Sequence, residues 1–376
     1  MSNGTHKQGP HFIFNVFRLL LGVVFLFSSV VKGIDPVGTS YRVTDYLQVY
    51  GWTPLVPYAL WIAFLVIFSE FLLGIAFVLK IFVKTAAFGM FFMLLFFLGV
   101  TWLDARYHMV PDCGCFGDAV KLTNWQTFYK NVILILLNGF YLWHLRKPQK
   151  PSEPHRFSWL ILSVFGLGFL WFMFYNLNHL PVVDFRNWKT GRDMTVVRLK
   201  PKVFVTYRNK KTGEEKTFLF PDYPWKDTAW LARWEFVSQR TLQPQSPLKY
   251  HLIIEDSVGN DKTKSLVENP GYQFFLVSYD LSEANQNGLK KAAVLSGYLQ
   301  KKNVSMVLLT ATAFRKALES EKRWGLFVPV YQSDETDLKA MIRSNPGLIL
   351  LHHGIVLKKW HYHDFPDTLQ VHQWLH

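Results

Sequence analysis

The chain has 376 residues, of which 50% are hydrophobic and 17% aromatic, and its formal net charge is +14. The basic residues form no stripe interleaved with aromatic residues, so the positive charge does not predict nucleic-acid binding. Apolar runs recur before about residue 178, whereas the sequence after that point is mixed and charged. A single soluble domain is thereby excluded. We expect a membrane part in contact with the lipid bilayer, followed by a soluble part.

Five apolar runs predict transmembrane helices, at 12–33, 58–79, 85–103, 128–145 and 157–177. Each approaches the ~20 residues that cross ~30 Å of hydrocarbon. The first run is too long for a cleavable signal peptide and lacks a small-residue cleavage site. We therefore predict a four-helix transmembrane bundle in residues 1–150 and a fifth transmembrane helix in 151–180.

The charges of the short loops predict the orientation of the bundle. On one side the loops are mostly basic, as at Lys80, Lys84 and Arg146. On the other side the basic residues are diluted by aspartates, such as Asp35. We expect the first side to be cytoplasmic and to hold the N-terminus. An odd number of spans then places the C-terminal domain outside, on the same side as the loop at 104–124.

The loop at 104–124 contains the two cysteines of the chain, Cys113 and Cys115, separated by Gly114. Outside the reducing cytosol we expect such a pair to have a chemical role. A disulfide between them would close a very small ring, which departs from relaxed geometry and is easily reduced. Gly114 removes the Cβ that would crowd this turn. These features favour a dithiol that cycles over a permanent structural disulfide.

Two other interpretations of the cysteine pair stay open. As a metal site the pair supplies two thiolates, whereas a closed zinc site usually has four ligands. His108, Asp112 and Asp118 are nearby, but their spacing follows no strong template, and we predict no metal. Alternatively, the pair remains reduced and inert within a turn.

A charged residue in the middle of the second predicted span is the other notable feature. Glu70 lies there among apolar residues, and an intramembrane carboxylate usually faces a partner or a cavity. By depth, Arg18 of the first span is the expected partner, since it lies about two helical turns in from the same side. Lys32 lies near the opposite surface and is expected to be too far away. We expect a packing ion pair, with a proton relay as the alternative.

These features together resemble the MauE/DoxX-like membrane proteins of bacteria. The resemblance covers about residues 10–145. It is carried by residues of the first two spans and of the cysteine motif, namely Arg18, Gly22, Phe27, Ser28, Ser29, Lys32, Asp35, Pro36, Gly38, Glu70, Gly74, Cys113, Gly114, Cys115, Phe116, Gly117 and Asp118.

The resemblance implies a four-helix bundle related in layout to quinone-linked disulfide-forming enzymes such as vitamin K epoxide reductase. Cys113 and Cys115 would be catalytic, and Gly114, Phe116, Gly117 and Asp118 would support the motif. The implied location is the bacterial cytoplasmic (inner) membrane, with the C-terminal domain in the periplasm. The implied cofactor is a quinone, and the implied partners are exported proteins. MauE itself is tied to maturation of methylamine dehydrogenase, a disulfide-rich protein, but this chain has no second cysteine pair for a complete relay.

The soluble part is expected to contain a β-rich connecting region at 181–247 and an α/β domain at 248–376. Alternating residues around a turn predict a hairpin from strands at 203–207 and 216–220. In the α/β domain, strands are predicted at 273–279, 304–309, 348–351 and 356–360, and helices at 287–301 and 313–319.

The α/β domain resembles the thioredoxin-like fold, which would make it an extracytoplasmic thioredoxin-like domain. Pro346 stands before a predicted strand, where that family places its cis-proline. The position after the first core strand, where the family has its cysteines, begins with Asp280 and contains none. The resemblance therefore implies the fold without thiol chemistry, and a binding or docking role. His361 and His363 would share a strand face, which permits a metal site. Since no carboxylate or cysteine stands at matching spacing, we expect them to be exposed surface residues.

Two hypotheses of function follow. The first is a membrane thiol/disulfide redox protein that exchanges with exported proteins and passes electrons to a quinone. The second is a non-enzymatic scaffold or assembly factor that uses the thioredoxin-like domain as an adaptor. The cysteine pair favours the first, and the missing second pair favours the second. Transport is a weaker third, because Glu70 is the only acidic residue expected deep in a span.

Overall fold

The computed structural model describes residues 9–110, 114–146, 157–195, 202–224, 227–242 and 252–375. Cys113 lies outside these ranges. The N-terminal part consists of six helices, α1 (Gly9–Ile34), α2 (Pro36–Val49), α3 (Ala59–Leu79), α4 (Val83–Tyr107), α5 (Asn124–Leu145) and α6 (Ser158–Asn178). A 3-10 helix at Thr53–Tyr58 leads into α3. All five apolar runs predicted from the sequence are helical.

Within the described ranges, four helices are long and apolar enough to cross a membrane. They are Phe12–Ile34, Thr53–Leu79, Val83–Tyr107 and Ser158–Asn178. The fourth predicted span, α5, is not among them, because polar residues such as Asn131 and Asn138 lower its hydropathy. Those residues are buried inside the bundle, whereas Ile133, Leu136 and Phe140 of α5 are exposed. The apolar helices suggest that the bundle contacts a lipid bilayer.

Helices α1 and α3 run antiparallel and approach each other closely at two glycines. A Cβ on Gly22 would lie 3.1 Å from the carbonyl oxygen of Gly74, and a Cβ on Gly74 would lie 3.1 Å from that of Gly22. Small residues at such a contact allow the two backbones to pack directly. The register places Arg18 beside Val78, and it brings the polar residues near the other end of α1 towards the middle of α3.

Helix α2 was not predicted from the sequence, which suggested a loop between the first two spans. Asp35 begins this helix, since its Oδ1 accepts a hydrogen bond of 2.8 Å from the backbone N–H of Gly38. Pro36 follows at the first helical position, where its fixed φ is favourable. The apolar pattern of α2 is weak, and few of its residues are buried. This explains why the sequence did not predict the helix. It packs against α3, at the end of the bundle that carries the cysteine motif.

A three-stranded antiparallel sheet follows the bundle. Its order is β2-β1-β3, and its elements are β1 (Lys202–Asn209), β2 (Glu215–Leu219) and β3 (Trp234–Leu242), with α7 (Thr228–Arg233) before the third strand. The predicted hairpin of the first two strands is confirmed. The third strand was not predicted, because its pairing with β1 is set by residues that are distant in the sequence.

The C-terminal α/β domain, residues 252–375, has a five-stranded sheet of order β6-β5-β4-β7-β8. Strands β4, β5 and β6 are parallel, whereas β7 is antiparallel to both β4 and β8. The strands are β4 (Tyr272–Val277), β5 (Ser305–Thr310), β6 (Val330–Gln332), β7 (Gly347–His352) and β8 (Ile355–His361). The helices are α8 (Thr263–Val267), α9 (Gln286–Lys301), α10 (Phe314–Trp324), α11 (Glu335–Met341) and α12 (Thr368–Leu375).

Both faces of this sheet are covered by apolar cores. Trp188 and Met194, which follow α6, are buried in one of them. The backbone N–H of Met194 donates to the carbonyl oxygen of Gly354, so this linking segment packs along the β8 edge. His361 at the end of β8 is 3% exposed. The expectation that it is an exposed surface residue was therefore wrong, because its ring packs beside those of Tyr362 and His363. The two histidines do not share a strand face either, since β8 ends at His361 and His363 lies in the 3-10 helix that follows.

Candidate functional site

The described part of the cysteine motif, residues 114–118, is a tight turn against α1. The backbone N–H of Gly117 donates to the carbonyl oxygen of Gly114 at 2.9 Å. Gly114 and Gly117 have φ angles of +59° and +53°, a region that glycine adopts without strain. A Cβ on Gly117 would also lie 3.2 Å from Cγ1 of Val31 in α1. Glycine at these two motif positions is thus needed by the turn and by its contact with the bundle.

Phe116 and Asp118 attach the motif turn to its surroundings. The ring of Phe116 lies 5.4 Å from that of Phe27 in α1, and Nζ of Lys130 in α5 lies 4.6 Å from the centre of the Phe116 ring. Asp118 faces the other way, with Oδ2 3.6 Å from Nη2 of Arg343 in the C-terminal α/β domain. The motif is therefore held between two helices of the bundle and the C-terminal domain.

Beneath the motif lies a buried ion pair between Lys32 and Glu70. Nζ of Lys32 is 2.7 Å from Oε1 and 2.9 Å from Oε2 of Glu70. The side chains are only 7% and 3% exposed. Both carboxylate oxygens thus contact the ammonium group. This compensates part of the cost of removing the two charges from water.

The predicted pairing of Glu70 with Arg18 was wrong. Nη1 of Arg18 donates instead to the carbonyl oxygen of Val78, at 3.0 Å. That pairing was predicted from the depths of the backbone positions in the membrane, without the directions of the side chains. In a helix each side chain leans towards the helix N-terminus. Because α1 and α3 are antiparallel, Lys32 leans inward along α1 while Glu70 leans outward along α3, so the two side chains converge.

Ser28 connects this ion pair with the cysteine motif. Its Oγ lies 3.2 Å from Oε2 of Glu70 and donates to the carbonyl oxygen of Cys115 at 2.8 Å. A serine hydroxyl has one proton, so it can donate to one of these two oxygens at a time. Ser28 and Lys32 were predicted members of the family motif, but their contacts were not predicted, because these depend on the register of α1 against α3 and on the position of the motif turn.

A second buried carboxylate, Asp104, was expected in a loop. Helix α4 extends to Tyr107, and Asp104 is fully buried. Its Oδ2 accepts a hydrogen bond of 2.5 Å from the hydroxyl of Tyr46 in α2. Nδ2 of Asn124 donates to the carbonyl oxygen of Asp104 at 3.2 Å. The burial of Asp104 was difficult to predict from the sequence, since α2, the helix that supplies Tyr46, was not predicted. Asp104 lies in the last turn of α4, so among the described helices of the bundle Glu70 is still the only acidic residue deep in a span.

Arg343 of the C-terminal α/β domain binds the motif end of the bundle. Its Nε lies 2.9 Å and 3.1 Å from the two carboxylate oxygens of Asp35, and its Nη2 faces Asp118. Burial is the largest single influence and lowers the pKa of Arg343, but Asp35, Tyr41 and Asp118 together outweigh it, so the pKa is raised. The hydroxyls of Tyr41 in α2 and Tyr279 lie 3.3 Å apart beside this contact. The two parts of the chain are therefore joined by polar contacts next to the cysteine motif.

The same edge of the domain contains Pro346, whose preceding peptide bond is cis. Asn345 links this turn to the end of β4. Its Oδ1 accepts from the hydroxyl of Ser278 at 2.7 Å, and its Nδ2 donates to the carbonyl oxygen of Asp280 at 2.7 Å. Asn345 thus holds the turn before β7 against the end of β4, two residues after Arg343.

A cavity of about 400 Å³ lies between the bundle and the C-terminal domain. Its walls come from α2, from the motif turn at Gly114 to Asp118, from residues 185–188 and from the region of α11. Arg343 and Asp118 contribute to the wall. A molecule in this cavity would lie beside the cysteine motif.

Residues 10–144 match the family model described as "Methylamine utilisation protein MauE". The membrane part is a MauE-family segment. No curated protein matches the chain. The matched MauE segment includes Lys32, Glu70, Ser28 and the cysteine motif, whereas Arg343 lies outside it. This match suggests a membrane protein of the methylamine utilisation system.

Proposed function

We propose that this MauE-family protein is a membrane thiol/disulfide oxidoreductase, in which Cys113 and Cys115 exchange with cysteines of exported proteins. The observation that carries the proposal is the contact of Ser28 with both the Cys115 carbonyl and Glu70. It positions the motif directly over a buried carboxylate and ammonium pair. Charged groups inside a membrane protein are costly and commonly functional. A merely structural turn would not need such a pair below it.

The proposed reaction has two half-reactions. In the first, a thiolate of the exported protein attacks the Cys113–Cys115 disulfide, and a second thiol of that protein resolves the mixed disulfide, which leaves Cys113 and Cys115 reduced. In the second, the dithiol loses two electrons and two protons to a quinone, which becomes the quinol. Glu70 is a candidate acceptor for a proton during this step, since Ser28 connects it with the cysteine motif.

A quinone dissolved in the bilayer would approach the motif from its lipid side. The aromatic rings of Phe27 and Phe116 lie on one side of the motif turn, and Phe27 is 47% exposed. Aromatic side chains provide flat apolar surfaces suited to a quinone ring. This position supports a quinone as the electron acceptor of the proposed reaction.

The C-terminal α/β domain is proposed to be thioredoxin-like and to dock partner proteins. Support comes from its strand order, with three parallel strands beside an antiparallel pair, and from the position of Pro346 directly before β7. Since this edge has no cysteine in the sequence, all thiol chemistry is assigned to the bundle. We place the motif and this domain on the periplasmic side of the inner membrane. The proposed partner is a disulfide-containing exported protein of the methylamine utilisation system.

The test is the redox state of the two cysteines in intact cells, trapped with acid and then alkylated. In a second measurement, the purified protein is titrated with a thiol redox buffer. It should show a reversible two-electron transition above about −300 mV, because a strained disulfide is easier to reduce than a structural one. Addition of a quinone to the reduced protein should restore the disulfide. A Cys115→Ser variant should retain a mixed disulfide between Cys113 and a partner, and the Cys113→Ser, Cys115→Ser double variant should not.

The alternative is a scaffold without enzymatic activity. The Arg343–Asp35 contact favours it, since it fixes the C-terminal domain to the bundle in one arrangement. Cysteines that remain reduced in cells and do not respond to quinone would contradict the redox proposal. The scaffold function would then be the better account of the chain.

A further inference from the structure

Arg186 is a buried arginine with an incomplete set of partners. It lies between α6 and the C-terminal α/β domain and is 9% exposed. Its Nε donates to Oδ1 of Asp184 at 2.9 Å, and its backbone N–H donates to the same oxygen at 3.1 Å. Nη1 and Nη2 are buried, and neither has a hydrogen-bond partner within the described residues. Buried N–H groups of a charged side chain are rarely left unsatisfied, because their desolvation is costly.

The charge around Arg186 is also unbalanced. Asp184 is shared between Arg186 and Lys359, whose Nζ lies 2.7 Å from Oδ2 of Asp184 and whose side chain is 3% exposed. One carboxylate thus faces two buried cations. The pKa of Lys359 is lowered to about 8, first by burial and then by the charge of Arg186, with a further contribution from Arg343. The site therefore has an excess of positive charge.

Arg186 lines the 400 Å³ cavity together with its neighbours Asn187 and Trp188. This volume falls within the ~300–1,000 Å³ of typical small-molecule sites. Asp337, in the first turn of α11, also lines the cavity. Among the other acidic lining residues, Asp35 and Asp118 contact Arg343, and Asp45 contacts Arg42. Those carboxylates are already close to arginines, whereas the Nη groups of Arg186 have no protein acceptor within the described ranges.

We propose that the cavity binds an oxyanion, a phosphate or carboxylate group, on Nη1 and Nη2 of Arg186, with a small rotation of this side chain that turns the two buried nitrogens towards the cavity that the residue lines. A planar guanidinium presents two parallel N–H groups that match two oxygens of such an anion. The anion would satisfy both orphaned nitrogens and neutralise the excess charge. This site is independent of the redox proposal, although Gly114 of the cysteine motif lines the same cavity.

The test uses the full-length protein in nanodiscs of zwitterionic phosphatidylcholine. Inorganic phosphate or succinate should raise the melting temperature saturably by a few degrees relative to chloride at equal ionic strength, since a ligand of the native state stabilises it. Equilibrium dialysis with radiolabelled phosphate should give one bound anion per chain. No saturable binding above the chloride control would overturn the proposal.

The variant Arg186→Gln should weaken anion binding at least tenfold. It is expected to fold, because Asp184 and Lys359 remain as a neutral pair. The matched control is Arg192→Gln, which removes the same charge from an exposed residue of the same segment and should bind as the wild type does. If Arg186→Gln does not fold, Arg186→Lys keeps the charge but loses the paired N–H groups and should bind about tenfold more weakly. Wild-type affinity in either folded variant would contradict the assignment.

The source of the oxyanion is separated by a second set of nanodiscs that contain phosphatidylglycerol. If a lipid headgroup supplies the phosphate, this lipid should stabilise the wild-type protein, compete with free phosphate and have no such effect on Arg186→Gln. If a free small molecule supplies it, phosphate affinity should be the same in both lipids. Stabilisation of the wild type and Arg186→Gln to equal extents would assign the lipid effect elsewhere and contradict a headgroup at Arg186.

Discussion

Lys32 and Glu70 form an ion pair inside the bundle, with Nζ of Lys32 within 2.9 Å of both carboxylate oxygens. The pair lies below the cysteine motif, and Ser28 lies between them. Both partners belong to the MauE-family segment. The polar centre of the bundle and the motif turn are therefore one connected structure.

Removal of one member of this pair should destabilise the protein strongly. Glu70→Gln leaves the buried Lys32 ammonium uncompensated, which costs about 3–5 kcal/mol in buried settings. Thermal unfolding in detergent should show a large drop in melting temperature. Adding Lys32→Met should recover part of this loss, because the double variant has no unpaired charge. Adding Arg18→Met should recover none of it, and a rescue by Arg18→Met would contradict the observed pairing.

Loss of the Ser28 hydroxyl should affect the cysteine motif more than the fold. A single hydrogen bond contributes about 1 kcal/mol, so Ser28→Ala should slow quinone-dependent reoxidation of the dithiol by about fivefold. Ser29→Ala is the matched control, because Oγ of Ser29 bonds only to the carbonyl oxygen of Leu26 among the contacts described. Equal reoxidation rates in Ser28→Ala and the wild type would show that the contact with Cys115 does not act on the motif.

The contact between Asp35 and Arg343 should be measurable as a coupling between the two parts of the chain. In a double-mutant cycle with Asp35→Asn and Arg343→Met, we expect a coupling free energy between about 0.5 and 3 kcal/mol. Asparagine can still begin α2, so the loss of the cap does not confound the cycle. The exposed pair Arg208–Glu215 is the control and should couple less, because solvent screens it. Additive effects at Asp35 and Arg343 would mean that the domain is held by other contacts.

Acid should destabilise the C-terminal domain through His361. Burial first, and then the nearby His363, lower the pKa of His361 from 6.5 to about 4, while Asp364 acts in the opposite direction. The unfolded chain therefore binds this proton between pH 6.5 and 4 when the folded chain does not, and stability falls as the pH falls through that range.

The contribution of this single group to the slope is at most about 1.4 kcal/mol per pH unit. Melting temperatures of the full-length protein between pH 4 and 7 should depend less steeply on pH in His361→Asn. His353→Asn is the control, since His353 is exposed and asparagine tolerates its positive φ. An unchanged pH dependence in His361→Asn would assign the acid sensitivity to other groups.

Local composition was sufficient to predict the long helices of the bundle, the family resemblance and most strands of the C-terminal sheet. The apolar runs predicted every long helix of the bundle, because the length of such a run depends only on neighbouring residues. The cysteine motif and the residues of the first two spans were sufficient to indicate the MauE resemblance, which the family match confirms. Strands β4, β5 and β7 were predicted from their short apolar runs, since nearly all of their residues are buried in the sheet. Strand β8 was also predicted, although it lies at the sheet edge and only part of it is buried.

The tertiary structure alone decided which residues meet. Glu70 pairs with Lys32 and not with Arg18 because the α1–α3 register and the opposite lean of the two side chains are properties of the packed helices. Arg343 reaches Asp35 across 308 residues of sequence. The linking segment holds Arg186 in the wall of the cavity, where its Nη groups are buried. Contacts of this kind depend on how distant elements pack against one another, and no local pattern of residues specifies that packing.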